Sequence, residues 1–276
     1  MWLGAVSVCS AAETEADQPY RLELRDGSSL VGYITTEEAD SITFTTVSGS
    51  SLTVARSQIK RLEKLAGEVV GGRYRRSDPN YTRLLYSPTA RALKSGTGYI
   101  SLYQLFLPFV AVGVADVVTL AGGISLLPGA EEQLIYFAPK ITVLNQEYAS
   151  LATGLIHFTV TGGGEEGVGI YYGVATFGNP DAALTCGLGW GYAGDETADN
   201  PVIMFGGELR LSNSVKLVSE NWLIPGSDVV PISFGFRFFG ENLATDIGFI
   251  NLAGADMGGW PFIPWVNFVY NFGRSH

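Results

Sequence analysis

Six charged residues in the C-terminal third of the sequence have types and spacing suited to handling ions. They fall on one face of four neighbouring predicted strands, and both signs occur among them: Glu208, Arg210, Lys216, Glu220, Arg237 and Asp246. A turn at Glu241 and Asn242 would place Arg237 directly opposite Asp246, where the two side chains can pair. Such a set either forms an ion-pair network that neutralises buried charge and fills or stiffens the interior, or lines a charged constriction that selects ions.

A second set consists of His157 and Thr159, two residues apart on one face of a predicted strand. A hydroxyl nucleophile needs a base within hydrogen-bonding reach and a third group that orients the base. The pair resembles the His-x-Ser of outer-membrane phospholipase, although Thr replaces Ser and the surrounding family motif is absent. This resemblance implies a lipid-acting enzyme as an alternative function, whereas the other interpretation of His157 is a single histidine inside a barrel.

The composition predicts a β protein that meets an apolar solvent. Charged residues make up 16 % of the 276 residues and aromatic residues 12 %, and Gly occurs 35 times. Residues 77–276 carry 8 Lys and Arg against 17 Asp and Glu, so a nucleic-acid partner is not expected. Two Cys and two His make a disulfide scaffold or a His-rich metal site improbable, and no cofactor is expected.

From about residue 80 the sequence alternates in segments of about 10–14 residues, with turn signals between them. In 229–239, the large apolar side chains of Val230, Ile232, Phe234, Phe236 and Phe238 share one face, and small or polar residues lie opposite. This period-2 pattern is typical of membrane-spanning strands with lipid outside and a lumen inside. The apolar stretch 102–127 is not expected to be a membrane helix, because Asp116 and several Gly and Pro interrupt it.

The turn signals predict eleven strands between Gly96 and Gly273. Barrels made from a single bacterial chain have even numbers of strands. A twelfth strand is therefore assigned to Tyr81–Ser87 (YTRLLYS), and the predicted fold is an all-β, antiparallel transmembrane barrel of twelve strands, with ten as the alternative.

The N-terminal part has a different organisation. Residues 1–12 end in Ser-Ala-Ala and are predicted to be the remnant of a signal peptide. Residues 20–65 contain five short alternating segments and predict a small SH3-like (Sm-like) β-barrel, followed by a linker at 66–79 and the barrel at 80–273.

The C-terminal sequence NFVYNF resembles the terminal-strand signal of outer-membrane proteins, with Tyr270 and Phe272 at the aromatic positions and Phe268 in place of the usual Gly. The chain as a whole resembles uncharacterised bacterial outer-membrane barrel proteins with an N-terminal SH3-like module. The resemblance implies outer-membrane lipids and the outer-membrane assembly machinery as partners, and a periplasmic N-terminal domain.

The function predicted from these features is a porin-like pore or a structural barrel in the outer membrane, through which a small solute or an ion would pass if the lumen is open. Two alternatives remain: an outer-membrane enzyme that acts on lipids through His157, and a secreted soluble β-barrel that binds a ligand.

Overall fold

The computed structural model describes residues 18–162 and 167–273, which fall into two compact units, Met1–Arg76 and Ser77–His276. The predicted signal-peptide remnant at 1–12 lies outside the described residues. No described helix is both long enough and apolar enough to cross a membrane.

The N-terminal unit contains a five-stranded antiparallel sheet. Its strands are β1 (Tyr20–Leu24), β2 (Ser29–Glu37), β3 (Ser41–Thr46), β4 (Ser51–Ala55) and β5 (Ile59–Lys64). They pair in the order β4-β3-β2-β1-β5, so that the last strand returns to the first. The alternating residues Leu22, Ile42, Phe44 and Val54 are buried and form its core. All five strands predicted in 20–65 are present.

The predicted linker at 66–79 is not irregular throughout. Residues Glu68–Val70 (β6) and Arg73–Arg75 (β7) form a hairpin. Gly71 and Gly72 connect them with φ angles of 58° and 73°, and two consecutive left-handed residues are what a two-residue hairpin turn requires. The Gly-rich composition of 66–79 predicts a linker. Gly-Gly between two β-prone triplets is, however, a hairpin signal.

The second unit is a closed antiparallel barrel. Its strands are β8 (Gly98–Tyr103), β9 (Leu107–Gly113), β10 (Val118–Ile124), β11 (Leu134–Phe137), β12 (Lys140–Asn145), β13 (Ala149–Val160), β14 (Val168–Gly178), β15 (Ala182–Ala193), β16 (Glu196–Thr197), β17 (Val202–Ser212), β18 (Val215–Leu223), β19 (Val230–Phe239), β20 (Leu243–Ala253) and β21 (Phe262–Phe272).

The barrel has twelve strand positions, as predicted. β11 and β12 both lie between β10 and β13 and form one interrupted strand. Pro139 separates them, and proline cannot donate to the ladder. The two-residue β16 only extends the pairing of β15. β21 pairs with β8, β8 with β9, and β9 with β10, which closes the barrel.

The predicted strand at Tyr81–Ser87 is wrong. The twelfth strand arises because the stretch before Gly113 is a hairpin, β8 and β9, with its turn at Gln104–Phe106. Gln104 and Leu105 adopt left-handed φ angles of 49° and 65°. The turn escaped the sequence analysis because it contains no Gly, Pro, Asn or Asp, the residues that normally mark turns.

The barrel strands alternate between a largely apolar outer face and an inner face. In β19, Ile232, Phe234, Phe236 and Phe238 are exposed, whereas Ser233 and Arg237 are fully buried. The same alternation places Leu184 outside and Thr185 inside on β15. The core of this unit is therefore the lumen.

Candidate functional site

The lumen is occupied by the chain that precedes the first strand. We call residues 77–97 the luminal segment. Most of its side chains between Asp78 and Leu93 are buried, and those of Leu84, Leu85 and Ala90 are completely so. This burial explains why the sequence YTRLLYS predicts a strand. The segment is apolar because it packs against the inner barrel wall and not against lipid.

The luminal segment folds back on itself. The Leu84 amide donates to the Ser87 carbonyl at 2.9 Å, and the Thr89 amide donates to the Thr82 carbonyl at 2.8 Å. Its tip at 84–87 reaches Glu220 near the middle of β18, and its end at Lys94 returns beside Gly113. The segment therefore enters and leaves at the barrel end that holds the start of β8.

Arg237 is the central anchor of the luminal segment. It is fully buried, and its Nε donates to Asp246 Oδ1 at 2.6 Å, while Nη1 donates to Asp78 Oδ2 at 3.0 Å. The guanidinium also donates to the backbone carbonyls of Asn80, Arg83 and Leu84. One arginine thus joins β19, β20 and the segment, with a planar fork of donors that suits several acceptors at once.

A second cation extends the network along the wall. Lys216 Nζ donates to Asp78 Oδ2 at 2.9 Å and to Glu208 Oε2 at 3.0 Å. Arg91, near the end of the luminal segment, donates to Glu208 Oε1. The network is therefore continuous from the segment through β17 and β18 and back to the segment.

Glu220 holds the tip of the luminal segment without a cation. Its carboxylate accepts the amides of Leu85, Tyr86 and Ser87 at 3.0–3.1 Å. The Ser87 hydroxyl and Trp222 Nε1 also donate to it. Several donors aimed at one carboxylate stabilise its charge inside a protein.

The opposite wall contacts the luminal segment through neutral acceptors. Lys140 Nζ donates to the carbonyls of Thr89 and Arg91 at 2.8 and 2.7 Å, and Arg83 Nε donates to the Tyr99 hydroxyl at 2.7 Å. A cavity between Arg83, Tyr99 and Lys140 has a volume of about 10 Å³, which is space for about one water. The segment therefore fills the lumen from wall to wall at this level.

An aromatic layer lies across the lumen beside the tip. Tyr86 packs on Trp222 and Trp265, and the contacts continue through Tyr103 and Phe109. Tyr136 and Phe158 complete the layer on the far wall. We call these seven side chains the aromatic layer.

The charge on Asp78 is strongly favoured in the folded barrel. Burial by itself raises the pKa of Asp78, but the charges of Arg237 and Lys216 outweigh burial and hold the pKa well below its usual range. A carboxyl with a lowered folded-state pKa contributes stability above its unfolded-state pKa, about 3.9, and that contribution is lost as pH falls below this value.

We therefore expect Asp78→Asn to lower the free energy of unfolding by about 3 kcal/mol at pH 7, because it removes one charge from a buried, paired group. The difference between the wild type and this variant should persist to pH 4 and shrink only at lower pH. Urea unfolding in detergent micelles between pH 7 and pH 3 measures it. A difference that vanishes by pH 5 would contradict the assignment.

Four of the six charged residues predicted to form the luminal cluster, Glu208, Lys216, Arg237 and Asp246, belong to one ion-pair network with Asp78. Glu220 lies further along the inner face of β18 and binds the tip of the luminal segment instead. The predicted register is present, with Arg237 opposite Asp246. Arg210 lies opposite Lys216 near the end of β17, and its Nε donates to Asp181 Oδ1 at 2.7 Å. The sequence analysis did not identify four further residues of the lumen: Asp78, Arg83, Arg91 and Lys140. Asp78 falls in the predicted linker. The other three act through contacts of the luminal segment, which the sequence did not predict.

His157 does not lie in the lumen. Its side chain is on the outer face of β13, where Nδ1 lies 2.7 Å from the Tyr192 hydroxyl and the two rings stack. Tyr171 and Trp190 continue this stack on the same outer surface. Among the described residues Tyr192 is the hydrogen-bond partner of His157, so the group that orients a catalytic base is a tyrosine hydroxyl rather than a carboxylate.

The residues of the predicted terminal-strand signal share the outer face of the last strand. Phe268, Tyr270 and Phe272 are all exposed on β21, whereas Asn267 and Val269 on its other face are buried inside. This arrangement presents three aromatic side chains in a row along the strand that closes the barrel.

Neither a protein-family profile nor a curated protein matches this sequence. Among solved structures, the chain is similar to the KdgM porin, with 5 % identity and a TM-score of 0.43 over 63 % of this chain and 95 % of that one. It is also similar to a mutant of Rh. blastica porin, with 10 % identity and a TM-score of 0.36 over 93 % of this chain and 99 % of that one. The fold assignment rests on the strand pairing of the barrel itself.

Proposed function

We propose that this chain is a bacterial outer-membrane β-barrel of the porin-like class whose lumen is closed by its own luminal segment. In this conformation it acts as a structural barrel that carries a small N-terminal β module. Passage of a solute or an ion would require the luminal segment to move. One observation carries this proposal. The barrel is closed and apolar outside, and its lumen is filled by the luminal segment, which is held there by ion pairs.

The outer surface supports placement in a membrane. Monomeric soluble proteins rarely expose contiguous apolar patches larger than a few hundred Å². Here large apolar side chains are exposed on every full-length strand, as illustrated by Leu184, which is 71 % exposed, and by Phe177, Leu209 and Ile247. A secreted soluble barrel would bury this face, so a lipid environment accounts for it better.

The connections support an orientation in the membrane. Short turns join the strands at 114–117, 146–148, 179–181, 213–214 and 240–242, and longer loops join them at the other end, apart from the three-residue turn at 104–106. Short turns mark the periplasmic end of outer-membrane barrels. The luminal segment enters at this end, which is why we propose a periplasmic N-terminal module. Its strand order, with β5 returning to β1, supports the SH3-like interpretation.

The purified full chain should insert into phospholipid vesicles and run on gels as a compact band that shifts only after boiling. In planar bilayers it should show no stable open current, because the luminal segment crosses the lumen. Vesicle flotation and single-channel recording measure the two properties. A protein that stays in buffer without detergent would favour the soluble alternative, and discrete current steps from the wild type would contradict the closed lumen.

A further inference from the structure

The barrel wall is markedly lower at one place. β8, β9 and the adjoining β10 contain 6, 7 and 7 residues, whereas β13–β15 and β17–β21 contain 9–12. At about 3.3 Å per residue and a tilt of about 40°, six residues rise about 15 Å and eleven rise about 28 Å. The apolar band of such barrels is about 25 Å tall. The β8–β9 hairpin therefore ends inside this band, and we call the gap above its turn the notch.

The notch leaves one edge of β21 without a neighbouring strand, and Gln104 protects it. β8 pairs with β21 only from Asn267 to Phe272. Above this point, the Gln104 amide donates to the Val266 carbonyl, its Oε1 accepts the Val266 amide, and its Nε2 donates to the Pro264 carbonyl. Pro264 itself has no N–H to satisfy. Unpaired backbone groups are costly in hydrocarbon, so this capping is what an edge facing lipid needs.

The surface around the notch is apolar. At its floor, Leu105 is 52 % exposed and Phe106 is 42 % exposed. The neighbouring loop contributes the exposed side chains of Leu126 and Leu127, and β21 contributes Ile263.

The aromatic layer meets the notch from inside. Tyr103 directly precedes the turn. Trp265 belongs to the part of β21 that pairs with β20 but has no partner on β8. Both side chains are 92 % buried, and the indole Nε1–H of Trp265 has no acceptor among the described residues. The Tyr103 hydroxyl, which lies beside Ser101, likewise makes no hydrogen bond of ordinary geometry. Buried donors without acceptors are costly, which points to an acceptor supplied from outside the chain.

We propose that the notch is a lateral binding site for a membrane phospholipid. One acyl chain lies over Leu105 and Phe106 against the aromatic layer, and an ester oxygen accepts hydrogen bonds from Trp265 Nε1 and the Tyr103 hydroxyl. A lipid fits because the site opens at the depth of the hydrocarbon and combines an apolar surface with donors. This inference rests on the proposed membrane insertion.

The test uses the full chain in vesicles that contain a phosphatidylcholine with a photoreactive diazirine on one acyl chain. After irradiation, mass spectrometry locates the adducts. We expect adducts on the inward-facing side chains of Tyr103, Phe109 and Trp265, in addition to those spread over the outer surface. Contact with lipid around the outside of the barrel cannot produce inward adducts.

The variant Tyr103→Phe/Trp265→Phe keeps the apolar surface and removes both donors. Inward adducts on Phe109 should fall about thirtyfold, the ratio that the loss of two ordinary hydrogen bonds of about 1 kcal/mol each gives. Adducts on the outer residue Leu184 should not change. Tyr171→Phe, on the outer aromatic stack, is the matched control and should leave all adducts unchanged.

Three outcomes separate the hypotheses. Inward adducts that depend on the two donors support the lipid site. Adducts confined to outward residues, or inward adducts that the double variant retains, overturn it while leaving membrane insertion intact. A chain that does not float with the vesicles overturns the proposed function instead.

Discussion

Replacing Arg237 by Met is expected to destabilise the barrel by about 3–5 kcal/mol, because it leaves the buried carboxylate of Asp246 without its cation. Asp246 would lose its only ion-pair partner among the described residues, and the carbonyls of Asn80, Arg83 and Leu84 would lose their donor. The luminal segment should also loosen. Urea unfolding in detergent micelles measures the stability, and proteolysis between 78 and 93 measures the loosening.

Two variants test whether charge is the cause. Arg237→Met/Asp246→Asn removes the uncompensated carboxylate together with the cation and should recover part of the lost stability, because Lys216 still pairs with Asp78. Arg210→Met removes a barrel arginine whose partner Asp181 is partly exposed, and it should cost less than half as much. Equal losses in all three variants would show that the effect is one of packing and not of charge.

The second large effect concerns conductance. Replacement of residues 80–91 by Gly and Ser of equal length should convert a barrel without stable current into one with discrete current steps. The reason is that these residues carry the contacts that cross the lumen, from Glu220 on one wall to Lys140 on the other. Glu220 and Lys140 would then be hydrated instead of bound to the luminal segment. Recording in planar bilayers measures the change.

A matched control keeps the luminal segment and alters a loop instead. Replacement of 225–228, in the long loop between β18 and β19, by Gly and Ser should leave the barrel closed. A segment-replaced barrel that inserts but stays silent would show that the aromatic layer closes the lumen by itself. Current from the loop variant would mean that the loops and not the luminal segment control passage.

The sequence by itself determined the class of fold and much of the charge network. Alternation in 229–239 and similar stretches determined which side chains lie on the outer face, because the period of a strand is two and a shift of one residue would expose Arg237 instead of Phe236. The turn at Glu241 and Asn242 fixed the pairing of Arg237 with Asp246. These are local relations, and they can be read from adjacent residues.

Only the tertiary structure decided what fills the lumen and where the wall is low. Tyr81–Ser87 has an apolar pattern that suits a strand facing lipid and a segment buried inside a barrel equally well, and periodicity cannot distinguish the two. Asp78 gains its partners from strands more than 130 residues away. The turn at Gln104–Phe106 lacks turn residues because pairing of β8 with β21 and of β9 with β10 imposes it. In both places long-range packing overrides local preference. The luminal segment carries the proposed function, and the turn carries the proposed lipid site.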